Sequence, residues 1–238
     1  MGIVFIAAHQ GLGDHIVCNG IYRNYALRAR ICLIPCTTQY YSQVREMLRD
    51  VKNVILIPIF SNYTFFQTRW LIKIMQFIRI KVILLGYFGT DFKNDEKFID
   101  QSYYEQAQID WRSRWLDFYI PNNLDKAVSL FTKLELSGSK YILVHDDESR
   151  GMKIRKEYLS NQYTVVRLEN RQGYHIFDYT KVIEEAVEIH CIESSFAHFI
   201  DSISEGPKSL FLHTYARPSV RMKKSNQIAY KREWNLIF

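Results

Sequence analysis

Short continuous apolar runs alternate with amphipathic stretches along this chain, in two series separated by one polar break. Residues 3–8, Ile-Val-Phe-Ile-Ala-Ala, form an unbroken apolar run, the pattern of a strand buried on both faces. A turn at 9–14 leads into a helix that Ile16, Val17, Ile21, Tyr25 and Leu27 carry to about Arg28. The pattern then gives a strand at 31–35, a helix at 40–48, a strand at 54–59, a helix at 68–78 and a strand at 81–85. A polar loop at 89–100 leads to a helical stretch at 99–119, with Tyr103, Ala107, Trp111, Trp115 and Phe118 near one face. Pro121-Asn122-Asn123 breaks the chain. The second series has strands at 141–145, 163–167, 187–192 and 209–212, helices at 153–159, 178–186 and 195–203, and a closing helix at 226–238. Strands alternating with helices imply parallel sheets with helices on both faces. The expected fold class is α/β: two Rossmann-like domains, 1–120 and 121–238, with a cleft between them.

Composition narrows the setting. With 238 residues, 47% hydrophobic and 24% charged, the chain is of globular type and long enough for two small domains. Aromatic residues reach 15% and serve either as core or as the wall of a cleft for a base or sugar ring. The net charge of +6 fits a phosphate-bearing ligand, a membrane surface or a nucleic acid, and equally a solvated basic face. No RNA-module signature is present, which counts against a nucleic-acid-binding protein. Cys18, Cys32, Cys36 and Cys191 lie in apolar stretches without metal-like pairing and read as reduced core residues of a reducing compartment, here the cytoplasm. The run from Trp70 to Phe88 contains Lys73, Arg79 and Lys81, so it reads as an amphipathic helix and a strand, not a membrane span; peripheral membrane contact stays open. No basic leader or cleavage site precedes Ile3, and Ile6 occupies the position where a myristoyl signal needs Ser or Thr, so no secretory or lipid signal is expected.

Two turns carry the chemistry. Gly11-Leu12-Gly13-Asp14-His15 follows the first strand, and Glu193-Ser194-Ser195-Phe196-Ala197-His198 follows a strand in the second series. Each runs from a strand through small polar residues into a helix, aiming backbone N–H groups at an anion. The dinucleotide fingerprint is not met, because Ile16 holds the third glycine position. The Gly-x4-Gly-Lys-Ser/Thr phosphate loop is absent, which counts against an NTPase or kinase. Asp14 is either a helix cap or a chemical group.

The Gly13-Asp14 pair and the apolar helix after it resemble the first loop of heptosyltransferases and related GT-B glycosyltransferases. Glu193-Ser194-Ser195-x-x-His198 resembles the acidic-Thr/Ser-small-x-x-His donor segment of the same group. Cys191-Ile192-Glu193-Ser194-Ser195-Phe196 is also similar to the Cys-x-x-Ser-Ser-Phe segment of protein O-fucosyltransferases. The resemblance implies an enzyme of glycan biosynthesis with a nucleotide-sugar donor and a glycan acceptor. It implies Asp14 as base and the serine pair at the donor phosphates. A His-x-Arg segment in the second group supplies a catalytic arginine; here Arg150 is displaced from that spacing after His145. The Ser-Ser-Phe segment favours a deoxysugar such as fucose or rhamnose.

The residues fit that chemistry on their own terms. A nucleoside diphosphate leaving group needs N–H donors, hydroxyls and cations. Ser194, Ser195, the helix they open, His198, and Arg150 or Lys153 supply these, with Gly11, Gly13 and His145 close to the donor. An acceptor hydroxyl needs a base: Asp14 first, then His15 and His9. One base acting in a single displacement gives inversion. Glu193 binds a sugar or ribose hydroxyl or caps a helix. His175 lies in a loop that either holds the base or only anchors the surface. Arg112, Arg114 and Trp115 reach toward the cleft, or the arginines pair with Asp110 and Asp117. His213 and Arg217 follow the last strand on its ligand side. No metal or other cofactor is expected. The rival enzyme is a metal-dependent GT-A-like transferase using Asp146 and Asp147 beside Glu148.

Overall fold

The computed structural model describes residues 2–89, 97–121, 123–147, 151–168, 173–203, 209–216 and 227–238. They belong to two compact units. The first holds strands β1 (Ile3–Ala7), β2 (Ile31–Thr37), β3 (Val54–Ile59) and β4 (Lys81–Leu84), in the order β3-β2-β1-β4, all parallel. Its helices are α1 (Leu12–Val17), α2 (Asn19–Arg28), α3 (Tyr41–Met47), α4 (Thr64–Phe77), α5 (Ile99–Gln106) and α6 (Ser113–Leu116). Val4 to Ala7 of β1 are sealed from solvent, as their apolar run requires.

Two expected helices are each divided. The helix after the first turn becomes α1 and α2, hinged at Cys18. Gly20 in α2 lets that helix close on the chain at Ser113: a Cβ there would stand 2.4 Å from the Ser113 carbonyl oxygen. The 99–119 stretch becomes α5 and α6, because Gln108 turns left-handed at φ 54° while the Ile109 N–H bonds back to the Tyr104 carbonyl.

The second unit has α7 (Leu124–Lys133), β5 (Tyr141–His145), β6 (Thr164–Arg167), α8 (Thr180–Glu184), β7 (Glu188–Ile192), α9 (Ser195–Ser202), β8 (Ser209–His213) and β9 (Asn235–Ile237). Its sheet runs β6-β5-β7-β8-β9, again all parallel. The α/β class is thus the observed one. α7, which the sequence reading missed, is capped by the Asn123 side chain on the Lys126 N–H and buries Ala127, Leu130 and Phe131. The helix expected at 153–159 is a loop with one 3₁₀ turn, Lys156–Tyr158, and the helix expected at 178–186 is a 3₁₀ turn, Ile176–Tyr179, followed by the short α8.

The closing helix expected at 226–238 is also corrected: the chain is extended and ends in β9. Two buried carboxylates account for this path. Asp100 takes the N–H of Ala229, which fixes Gln227–Ala229 to the first unit together with the bond from Ile99 N–H to the Gln227 carbonyl. The buried Arg114 guanidinium pairs with Asp100 and also donates to the Ala229 carbonyl. In the second unit, Asp201 of α9 accepts the N–H groups of Lys231 and Arg232, which leads the chain alongside β8. These bonds take the backbone groups a helix would have used internally.

Candidate active site

In the first unit the strand order reverses beside β1, where β2 lies on one side and β4 on the other. The carboxyl ends of strands at such a switch point are where open α/β sheets bind ligands. Three segments meet there: the turn after β1 with His9 and Asp14, the turn after β4 with Gly86 and Tyr87, and α5 with Tyr103. His9 Nε2 accepts the Tyr87 N–H at 2.9 Å. A backbone N–H can only donate, so this bond assigns the ring proton to Nδ1. Nδ1 lies 2.7 Å from the Tyr103 oxygen, and the Tyr103 hydroxyl donates to Asp14 Oδ1 at 2.9 Å. The result is a directed chain, His9 to Tyr103 to Asp14.

His9 also lies close to Asp14 directly, with Nδ1 3.6 Å from Oδ1. Burial pushes the Asp14 carboxyl up, but His9 and then the Tyr103 hydroxyl pull it down further, leaving it below the ordinary carboxylate value. Asp14 is therefore anionic at neutral pH. Burial, and then the Asp14 charge, hold the Tyr103 hydroxyl well above its usual value, so it stays a donor. Asp14 sits in the third position of α1 and not at its cap, which is Gly11. Its charge lies in the favourable first turn of the helix.

Glycines make the room. A Cβ on Gly11 would stand 2.7 Å from Asp14 Oδ2. A Cβ on Gly86 would stand 2.4 Å from His9 Nε2, and Gly86 is left-handed at φ +63°. Gly13 lies in the first turn of α1. His15 is turned away: it is fully buried, its Nδ1 meets the Tyr22 hydroxyl at 2.9 Å, and burial lowers it to about 4. It is a neutral core group and does not join the Asp14 chain.

In the second unit the order reverses at β5 and β7, and their carboxyl ends bring His145 to the Glu193–Ser195 turn. Ser194 is the cap residue of α9, yet its side chain makes no bond to the helix. Its Oγ lies 3.3 Å from His145 Nδ1 instead, and the His145 ring stacks on Phe196 at 4.8 Å. Burial lowers His145 to about 4, so it is neutral at pH 7. Ser195 opens α9, Glu193 is buried, and His198 stacks on Tyr230 at 5.6 Å. The turn thus joins two hydroxyls to a helix N-terminus.

Lys153 is exposed in the loop after β5. His175 caps the 3₁₀ turn at 176–179: its N–H bonds to Asp178 Oδ2 at 2.8 Å and its side chain accepts in return. Arg112 pairs with Asp110 on the surface at 3.0 Å, whereas Arg114 is buried against Asp100. Arg150, Glu148 and Arg217 lie outside the described residues. Asp146 ties its own loop to β6, with Oδ1 accepting the Ile154 N–H and Oδ2 paired with Arg167. Among the described residues, no three His, Cys, Asp or Glu groups come together as a metal site. All four cysteines are free and buried.

Tyr103, which bonds Asp14, and Gly86 and Tyr87, which adjoin His9, are not singled out by the sequence. Tyr103 reads as one aromatic on a helix face, and Gly86 and Tyr87 fall between the strand expected at 81–85 and the loop expected at 89–100. The one available signal is a glycine two residues past β4. A buried pair in the second unit was also missed: His190 Nδ1 lies 3.0 Å from His213 Nε2, with burial lowering both to about 4.

No protein-family model and no curated protein matches this sequence. The fold has solved counterparts. ADP-heptose lps heptosyltransferase II of E. coli matches with a TM-score of 0.52 and 13% identity, over 90% of this chain and 84% of that one. A glycosyl transferase family 9 protein from Veillonella parvula DSM 2008 matches with a TM-score of 0.56 and 7% identity, over 89% and 80%. At these identities the likeness is one of fold: the chain shares the GT-B architecture of these proteins.

Proposed function

We propose that this protein is a glycosyltransferase that moves a sugar from a nucleoside diphosphate donor to an acceptor hydroxyl. The observation that carries this is the anionic Asp14 at the β1/β4 switch point of a fold shared with glycosyltransferases, held on one oxygen by Tyr103. Tyr103 occupies Oδ1, so Oδ2, beside the Cβ-less Gly11, is the oxygen for the acceptor. Oδ2 takes the hydroxyl proton as the acceptor oxygen bonds to the anomeric carbon. The bond from that carbon to the donor phosphate breaks, and the diphosphate leaves with the electron pair. A single displacement of this kind inverts the anomeric centre.

The second unit serves the leaving group. The N-terminal N–H groups of α9 and the Ser194 and Ser195 hydroxyls are donors for a diphosphate, with neutral His145 orienting Ser194. This set gives the departing charge protein donors, so activity in excess chelator is expected. A deoxysugar such as fucose or rhamnose is the donor class we favour.

The test is a thermal-shift screen against GDP, UDP, dTDP and ADP, followed by transfer assays with the matching nucleotide sugars. One nucleotide should raise the melting temperature. D14N should keep that shift and lose about 10²–10⁴-fold in turnover, the usual share of a general base. Absence of any nucleotide response, or full turnover by D14N, would overturn the reading.

A further inference from the structure

The outward side of α4 is apolar where a solvated helix is polar. Phe66, Trp70, Ile74 and Phe77 form one stripe at helical spacing, and Trp70 and Phe77 are 56% and 87% exposed. The core side of α4 is a different one: Ile72 is buried with Phe5 and Ala7, and Leu71 and Met75 pack on them. An apolar groove of about 330 Å³ lies between Phe66 and Trp70 and the Ile57–Ile59 end of β3. Arg69 and Lys73 flank the stripe and are exposed. From residue 51 to residue 90 the chain carries Lys52, Arg69, Lys73, Arg79 and Lys81 and not one Asp or Glu.

We propose that this face docks on the surface of an anionic phospholipid bilayer. Exposed aromatics with cations beside them, on a segment that carries no carboxylate, are complementary to a negatively charged interface: rings enter the acyl boundary while Arg69 and Lys73 meet the headgroups. A second copy is the poorer occupant. A two-fold contact through α4 would set Arg69 and Lys73 against their own images, with no acidic partner in the segment. The face also continues toward the candidate site, since Phe65 stacks on Phe88 at 5.6 Å and Phe88 lies edge-on to His9 at 6.4 Å. An acceptor held in the membrane would thereby reach Asp14; that step rests on the proposed function, whereas the docking does not.

Flotation of the full chain with vesicles tests this. The wild type should float with phosphatidylglycerol/phosphatidylethanolamine vesicles, much less with phosphatidylcholine, and less again at high salt. R69E/K73E should lower the bound fraction about tenfold or more, given about 1 kcal/mol per cation at a charged membrane. F66S/W70S/F77S should lose binding even at low salt. These side chains are exposed, so both variants should keep the wild-type circular dichroism spectrum, nucleotide response and turnover on a soluble acceptor. Equal binding to neutral vesicles, no binding by the wild type, or wild-type binding by R69E/K73E would each overturn the proposal. So would a dimer in size exclusion that F66S/W70S/F77S dissolves without vesicle binding. Retained turnover in the variants shows that a failure here leaves the proposed reaction standing.

Discussion

The Tyr103 hydroxyl reaches Asp14 Oδ1 at 2.9 Å from 89 residues further along the chain. Helix α5 is brought there by the turn after β4, where Gln106 Oε1 accepts the Gly86 N–H at 2.7 Å. Tyr103→Phe removes one donor to a charged carboxylate. A bond of that kind is worth about 1.5–3 kcal/mol, so turnover should fall about 10- to 100-fold with a smaller change in KM. Losing the donor also lets the Asp14 carboxyl rise, which should move the acidic limb of the pH–rate profile upward. An unchanged limb in Y103F would show that Tyr103 does not act through Asp14.

Gly86 and Gly138 separate two costs of adding a methyl group. Both are left-handed, at φ +63° and +73°, but a Cβ on Gly138 meets nothing within 4 Å while one on Gly86 strikes His9 and Tyr103. Gly138→Ala should cost only the backbone term, about 1–2 kcal/mol. Gly86→Ala should cost more and also depress turnover. Equal losses in denaturant melts would mean that the ring of His9 yields freely.

Acid should destabilise this fold early. His15, His145, His190 and His213 are each lowered by burial to about 4, against 6.5 for an exposed histidine. Between those values the unfolded chain binds protons that the folded chain refuses, so stability present above about pH 6.5 is lost as pH falls toward 4. Asp14, lowered in the fold, adds to the loss below the ordinary carboxylate value. Calorimetry in buffers of different ionisation heat should find uptake of up to four protons on unfolding near pH 5. A melting temperature that stays flat from pH 6.5 to 4.5 would contradict the neutral assignment.

Arg114 and Asp100 are both sealed from solvent. Arg114→Met leaves the Asp100 charge buried with its main counter-charge gone, and should cost about 3–5 kcal/mol. D100L/R114M removes both charges and should recover part of that loss in urea melts. If the single variant is as stable as wild type, the pair contributes nothing.

The strands were legible because a strand buried on both faces is an unbroken apolar run, as in Ile3–Ala7, and parallel order follows from alternation with helices. The two turns were legible because glycine, serine and acidic residues after a strand are local signals. What depends on distant partners was not. Tyr103 carries no mark that it serves Asp14, and nothing local distinguishes Arg114, buried on Asp100, from Arg112, exposed on Asp110. The end of the chain misread as a helix because its apolar residues were visible while Asp100 and Asp201, which claim its backbone N–H groups, lie far upstream.

The return of Gln227–Ala229 to Asp100 and Arg114 ties folding to the order of synthesis. At about 5–20 residues per second, Ala229 is made about 5–20 s after Pro121. For that interval the nascent first unit has its sheet but lacks the strap that satisfies its buried ion pair. A ribosome stalled between the two would present an unfinished unit to proteases and chaperones. The first unit is therefore completed by a segment translated only after strands β5 to β8 of the second.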